Sequence, residues 1–522
     1  MTPHYRLPNG AVPVLVSSDV PELLRREAAA LLDWAVDHPD VTPAAIAATV
    51  FRTRSARRNR ALVMATGRDE LLAGLRAVVA GTDHPAVIRA PASARRIAHV
   101  FPGQGGQRAG MGRPFYDASP AYRAEANRCA EAFAACGAAP LDYLLDERYA
   151  AADAAATVQP ALFTQLAGLS ALWRDFGVVP DVTVGHSQGE IAAAYVSGLI
   201  TLHDAVRLVG IRTRAVAHLD SGAESATGAY AMAMLAVDRE SCEALLARHS
   251  GWAEVSVVNA PQLTGISGDR ATVQHLVDAL AERGTFARVI GVRYPAHTSA
   301  INGLAGELHA AVARELQNPT FADADTACLG ATLGGPLGPD LPVEEYWFWN
   351  LRNTVRFDKA VAAAVALGVD TFVELSAHPT LHLALRQNLV DQTHLVAGTA
   401  SRTADPLDEF TRNLARVAVA DLDYPWDRLR SESDAGTTPL PLPGFPNTVM
   451  NDVTLWLPYE EELPRRAHRT PAAAAPPVAE TAPARLLTEE WVRLAHRALR
   501  PPRAIAPCVV LPAPLAPTRT IR

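Results

Sequence analysis

Asp181-Val-Thr-Val-Gly-His-Ser-Gln-Gly-Glu190 runs directly into Ile191-Ala-Ala-Ala-Tyr-Val196. An apolar run of strand character meets a helix-forming run, and at the junction one serine stands between two glycines. So sharp a strand-to-helix turn needs small neighbours around its central side chain. The helix start beyond it offers unbonded N–H groups and a positive dipole end to an anion. The pattern marks Ser187 as a candidate nucleophile. A Gly-x-Ser-x-Gly arises by chance in roughly one protein of this length in ten, so the surroundings must carry the argument.

Upstream, Ile97-Ala-His-Val-Phe101 reads as a second buried strand, and the Pro102-Gly-Gln-Gly-Gly-Gln107 that follows is too glycine-rich for helix. Helical patterns at 120–135 and 159–176 separate the two strands. This alternation predicts an α/β fold with a parallel sheet covered on both faces. Downstream, a helical run starts near His203 and carries Arg212 close to its end. Residues 229–297 then read as strand 230–237, helix 239–249, strands 254–259 and 264–268, helix 271–283 and strand 287–292. That β-α-β-β-α-β order predicts a ferredoxin-like subdomain inserted into the larger one. The larger unit resumes with a helix at 301–316, a strand at 371–375 and helices at 379–389 and 404–420.

Residues 14–94 predict a small α/β unit, with a strand at 14–16 and helices at 21–38 and 68–80. The expected domains are therefore 1–95, a large subdomain from 96–228 and 298–400, the insertion 229–297, a segment 401–460, and a terminal region 461–522. That last region combines a Pro/Ala-rich linker at 470–485, a short amphipathic helix at 486–499 and a proline-patterned tail.

Composition narrows the function classes. The 522 residues, 49% hydrophobic and 20% charged, suit a globular protein with a large core. Cys129, Cys136, Cys242, Cys328 and Cys508 include no Cys-x-x-Cys pair, and no secretory segment follows Met1, so a reducing cytoplasmic setting without disulfides is expected. No apolar stretch approaches the roughly 18 residues that cross a bilayer. The net charge of −7 argues against a general nucleic-acid binder. No cluster with metal-ligand spacing stands out, and no metal or bound cofactor is expected.

A serine hydroxyl needs a base at neutral pH. His186 adjoins Ser187, but across a tight turn its ring should point away. His297, in Arg293-Tyr-Pro-Ala-His297, stands where the insertion ends and the chain returns to the large unit, so it faces the cleft between them. As a base it competes with its plainer reading as a hinge or core histidine. The backbone N–H groups of Gln104, in the glycine-rich loop, and of Gln188 can jointly receive an oxyanion. Arg212 is either a solvated helix-end arginine or a group that reads a ligand.

These pieces join further motifs: Val158-Gln-Pro160, Tyr294-Pro-Ala-His297, Tyr346-Trp-Phe-Trp-Asn-Leu-Arg352, Val355-Arg-Phe357 and Glu374-Leu-Ser-Ala-His-Pro379. In this order and spacing the chain, over roughly 96–400, resembles the acyltransferase domains of modular polyketide synthases. Residues 1–95 resemble the linker from ketosynthase to acyltransferase, and 401–457 the segment that wraps back after it. The resemblance implies a large α/β-hydrolase-like subdomain of the malonyl-CoA:acyl-carrier-protein transacylase type. It also implies that Ser187 attacks the thioester of a short dicarboxylic acyl-CoA, with His297 as base and later acid. His297 would be oriented by a main-chain carbonyl near Asn350. Arg212 would grip the free carboxylate, with Gln159 lining the same pocket. The acceptor would be the phosphopantetheine thiol of an acyl carrier protein. Partners would include other synthase domains, with a ketosynthase on a separate chain.

In the resembled family the residue after the serine and the tetrapeptide ending in the histidine follow extender size. Gln188, Tyr294 and the small Ala296 favour methylmalonyl over malonyl; Pro295 and Ala296 depart from the usual residues and keep malonyl or a bulkier unit open. Leu440-Pro-Leu-Pro-Gly-Phe-Pro446 departs from the usual end of the wrapping segment. Two rival readings remain. One is an acyl-thioester hydrolase on the same scaffold, against which Arg212 counts. The other is a non-catalytic scaffold piece, against which the intact Ser187, His297 and Arg212 count.

Overall fold

The computed structural model describes residues 4–149, 154–220, 229–390, 393–431 and 442–450. The Pro/Ala-rich stretch, the helix expected at 486–499, the tail with Cys508 and part of the wrapping segment lie outside the described residues.

Two strands named by the sequence form the middle of the main sheet. Ile97–Phe101 and Val182–Gly185 pair in parallel and are buried at every position. Continuous burial, without alternation, is what a strand covered on both faces requires. The sheet has six strands in the order Gly335–Pro336, Ala327–Gly330, Val182–Gly185, Ile97–Phe101, Thr371–Glu374 and Leu395–Ala397. All neighbouring pairs are parallel except the first, an antiparallel edge that the sequence did not announce. The helix expected from 159 starts one turn earlier, at Ala155–Asp175, with Pro160 inside it.

Tyr230–Leu235, Ala253–Ala260, Leu263–Asp269 and Ala287–Ile290 form a second sheet with helices Arg239–Leu246 and Arg270–Ala281 in the expected β-α-β-β-α-β order. Strand order is 287–290, 230–235, 263–269, 253–260, all antiparallel. A fifth strand, Val355–Arg356, joins in parallel beside Ala253–Ala260 and ties this sheet to the main body. Period-two alternation sorts the first strand cleanly. Ala231, Ala233 and Leu235 enter a small core with Val273 and Leu276 of the covering helix, while Met232 packs into the main core. One face of the small sheet therefore looks toward the larger unit.

At the N-terminal end, Val12–Ser18, Asn59–Ala65 and Val87–Pro91 make an antiparallel three-stranded sheet with helices Pro21–Asp37, Pro43–Thr53 and Arg68–Ala80. The later chain wraps onto it: Pro406–Ala420 packs on its strands, and His4–Tyr5 pairs with Arg430–Ser431. Arg60, 1% exposed, fastens the two parts by donating to the Asp421 carbonyl at 2.6 Å and the Leu422 carbonyl at 2.8 Å. Among the described residues no helix is long and apolar enough to cross a membrane.

Candidate active site

Ser187 stands on the turn between Val182–Gly185 and Gly189–Ser197 with φ +54°, a left-handed backbone that costs a non-glycine residue energy. The flanking glycines are sterically required. A Cβ on Gly189 would lie 2.1 Å from the Phe101 carbonyl oxygen, and one on Gly185 would lie 2.4 Å from the Glu190 Cα. The elbow can therefore press against the neighbouring strand only because both positions lack side chains.

His297 is the other non-glycine residue with positive φ, +62°, among the described residues. Its Nε2 is 2.7 Å from Ser187 Oγ, and its Nδ1 is 3.0 Å from the Asn353 carbonyl oxygen. A carbonyl only accepts, so Nδ1 carries the proton and Nε2 is left to accept from the serine hydroxyl. Burial, followed by the Arg212 cation and then His186, holds the imidazole well below the usual histidine range. His186 turns away, as its position on the turn predicts, and its Nε2 meets Asn259 Oδ1 at 2.9 Å.

The orienting carbonyl is that of Asn353, a main-chain carbonyl near Asn350 as expected, though not Asn350's own. Val343–Arg352 ends before Asn353, whose extended backbone (φ −77°, ψ 152°) takes its carbonyl out of the helical bonding pattern. Asn350 lies inside the helix and does different work. Its Nδ2 donates to the Ser187 carbonyl at 3.0 Å and to Thr332 Oγ1 at 3.2 Å, while its Oδ1 accepts from Arg212 Nη1 at 2.6 Å. The Leu351 carbonyl also accepts from the His297 backbone N–H at 2.9 Å. One short segment, 350–353, thus holds Ser187, Arg212 and His297.

Arg212 is a correction. Its helix is Leu202–Asp220, so it sits well inside the helix rather than near an end, and it is only 5% exposed. Nη2 reaches Ser187 Oγ at 3.3 Å. Among the described residues no carboxylate pairs with it. Behind Asn350, the buried Glu190 accepts from Thr332 N at 2.8 Å and from the Tyr346 hydroxyl. Burial raises its pKa to about 7.

A cleft of about 430 Å³ opens over Ser187 and His297, between the main sheet's loops and the inner face of the small sheet. Gln104, Gln188, Tyr294 and Ala296 line it. The backbone N–H groups of Gln104 and Gln188 have no acceptor among the described residues. The Tyr294 hydroxyl donates to Gln104 Oε1 at 3.1 Å and receives Gln159 Nε2 at 3.3 Å. Gln159 itself departs from expectation: it is wholly buried behind Tyr294 and Gln188 and does not line the cleft. The part of Asn353 and Leu351 has no sequence signal, because backbone carbonyls are the same in every residue.

The family model described as "Acyl transferase domain" matches residues 98–423. Polyketide synthase GfsA of Streptomyces halstedii is 34% identical over 477 residues, covering 90% of this chain and 6% of that protein. Erythronolide synthase EryA3 of Saccharopolyspora erythraea is 33% identical over 449 residues, covering 84% of this chain and 14% of that protein. The chain thus spans a small fraction of the curated relatives it matches. The crystal structure of the acyltransferase domain from module 8 of the salinomycin polyketide synthase superposes with a TM-score of 0.71 at 32% identity, over 80% of this chain and 97% of that one. The match runs through both the Ser187 elbow and the His297 junction: the chain belongs to the acyl transferase domain family, in the form carried by polyketide synthases, and is an acyltransferase.

Proposed function

We propose that this domain moves a short dicarboxylic acyl unit from CoA to the phosphopantetheine thiol of an acyl carrier protein, with methylmalonyl favoured over malonyl. The observation that carries the proposal is Arg212: a buried guanidinium without a carboxylate partner among the described residues, 3.3 Å from the Ser187 hydroxyl. A buried cation calls for an anion. A substrate whose free carboxylate lies near its reacting thioester supplies one, and a plain acyl group does not.

The geometry supports the following steps. The Ser187 proton passes to His297 Nε2 as Oγ attacks the thioester carbon, and the resulting oxyanion is received by the N–H groups of Gln104 and Gln188. Each such donor is worth about 3 kcal/mol. The C–S bond breaks, and CoA leaves as a thiol with the proton from His297. The carrier thiol then gives its proton to His297 and attacks the acyl-serine, which returns Ser187 to its hydroxyl form. The neutral, buried His297 suits a base, and Arg212 favours diacyl transfer over the hydrolase reading. The small Ala296 on the cleft wall supports room for an α-methyl group.

The division into a linker-like unit at 1–95, a two-part large subdomain, an inserted subdomain at 229–297 and a wrapping segment from 401 is proposed on the same resemblance. The test is intact-protein mass after brief exposure to an equimolar mixture of malonyl-, methylmalonyl-, ethylmalonyl- and acetyl-CoA, with Ser187→Ala as control. A methylmalonyl adduct absent from the variant is expected. Free CoA without an adduct would favour hydrolysis, and neither product would favour a scaffold.

A further inference from the structure

The cleft over Ser187 has no carboxylate on its lining, in a chain of net charge −7. It does have two exposed arginines, Arg288 and Arg402, neither of whose side chains has a partner among the described residues. Strand alternation explains Arg288. On Ala287–Ile290, residues 287 and 289 pack on the small helix-side core, while Arg288 registers opposite Met234 and Ile290 opposite Met232, two side chains of the cleft wall. Arg402 comes from the other sheet, just past its edge strand Leu395–Ala397. Its backbone N–H is 3.4 Å from Nδ1 of His378, which also lines the cleft. Each sheet therefore presents one unpaired guanidinium to the same opening, and much of the small-sheet wall is apolar, with Met232, Met234, Val257 and Leu263.

We propose that Arg288 and Arg402 together hold the phosphate ester at the far end of a pantetheine arm whose thioester rests at Ser187. The inference rests on the acyl-transfer reading, because CoA donor and carrier-protein acceptor present the same arm and the same first phosphate. The uncharged amide chain suits the apolar wall; the phosphate needs cations, and the guanidinium fork matches its oxygens. One clamp then serves both halves of the reaction.

The test compares Ser187 acylation by methylmalonyl-CoA, methylmalonyl-phosphopantetheine and methylmalonyl-pantetheine, the last without phosphate, in wild type and in the Arg288→Ala/Arg402→Ala double variant. In the double variant, the kcat/KM preference of wild type for either phosphorylated thioester over the pantetheine one falls roughly tenfold. An equal fall with all three thioesters, or no fall, overturns the clamp. A fall confined to CoA also overturns it, because the arginines would then serve the nucleotide end. Wild type that is acylated by none of the three overturns the methylmalonyl-transfer reading on which the clamp rests.

Discussion

Arg212 Nη1 donates to Asn350 Oδ1 at 2.6 Å, and the same asparagine's Nδ2 holds the Ser187 backbone carbonyl at 3.0 Å. Arg212 and Ser187 are thus set by a single side chain. Asn350→Ala removes both restraints and leaves a buried guanidinium without its best acceptor. The kcat/KM for methylmalonyl-CoA falls roughly ten- to a hundredfold, the worth of one hydrogen bond to a charged group. Stopped-flow acylation of the purified variant measures it.

The acid limb of the pH–rate profile reports His297. Burial, then Arg212, then His186 depress its pKa, so the neutral base form persists below the ordinary value of about 6.5. Activity is retained at pH 6 and is lost as pH falls through the depressed value. Removing one repelling cation with Arg212→Gln moves that limb to higher pH. Single-turnover kcat/KM between pH 4.5 and 8 checks the direction; a limb that stays in place contradicts it.

The elbow tolerates no Cβ on its rear side. Gly189→Ala drives the new atom against the Phe101 carbonyl of the adjoining strand, so the helix start must shift and take the Gln188 N–H with it. We expect a loss of about 1–3 kcal/mol in stability, read from denaturant unfolding, together with acylation too slow to detect.

Arg60 serves as the structural counterpart far from the chemistry. Its guanidinium is buried against the carbonyls of Asp421 and Leu422 and joins the N-terminal unit to the wrapping segment. Arg60→Ala lowers stability by about 2–4 kcal/mol, while kcat of the protein that remains folded stays near wild type. Thermal unfolding combined with active-site titration separates the two effects.

Much of this was legible in the sequence because it is written in local pattern. The all-buried strands at 97–101 and 182–185 read as apolar runs, and the insertion reads as strand and helix patterns in β-α-β-β-α-β order. Elements set by distant partners escaped. Val355–Arg356 is a strand only because Ala253–Ala260 offers it an edge, and nothing in two residues declares that. Pro43–Thr53 escaped too: its short, alanine-rich middle, Ala45–Val50, is buried at every position and only its ends reach solvent. The site split in the same way. Ser187 carries its own turn chemistry and His297 its junction. The carbonyls of Leu351 and Asn353, and the double duty of Asn350, exist only once a helix end from the main body meets the end of the insertion.

The proposed reaction turns on a buried Arg212 that reads the free carboxylate of the acyl unit. Methylmalonyl-CoA and propionyl-CoA differ by that carboxylate alone, so the ratio of their Ser187 acylation rates in wild type and Arg212→Ala tests it most directly. With Arg212→Ala, methylmalonyl loading falls roughly ten- to a hundredfold while propionyl loading holds or rises, so that the ratio collapses. An unchanged ratio would contradict it.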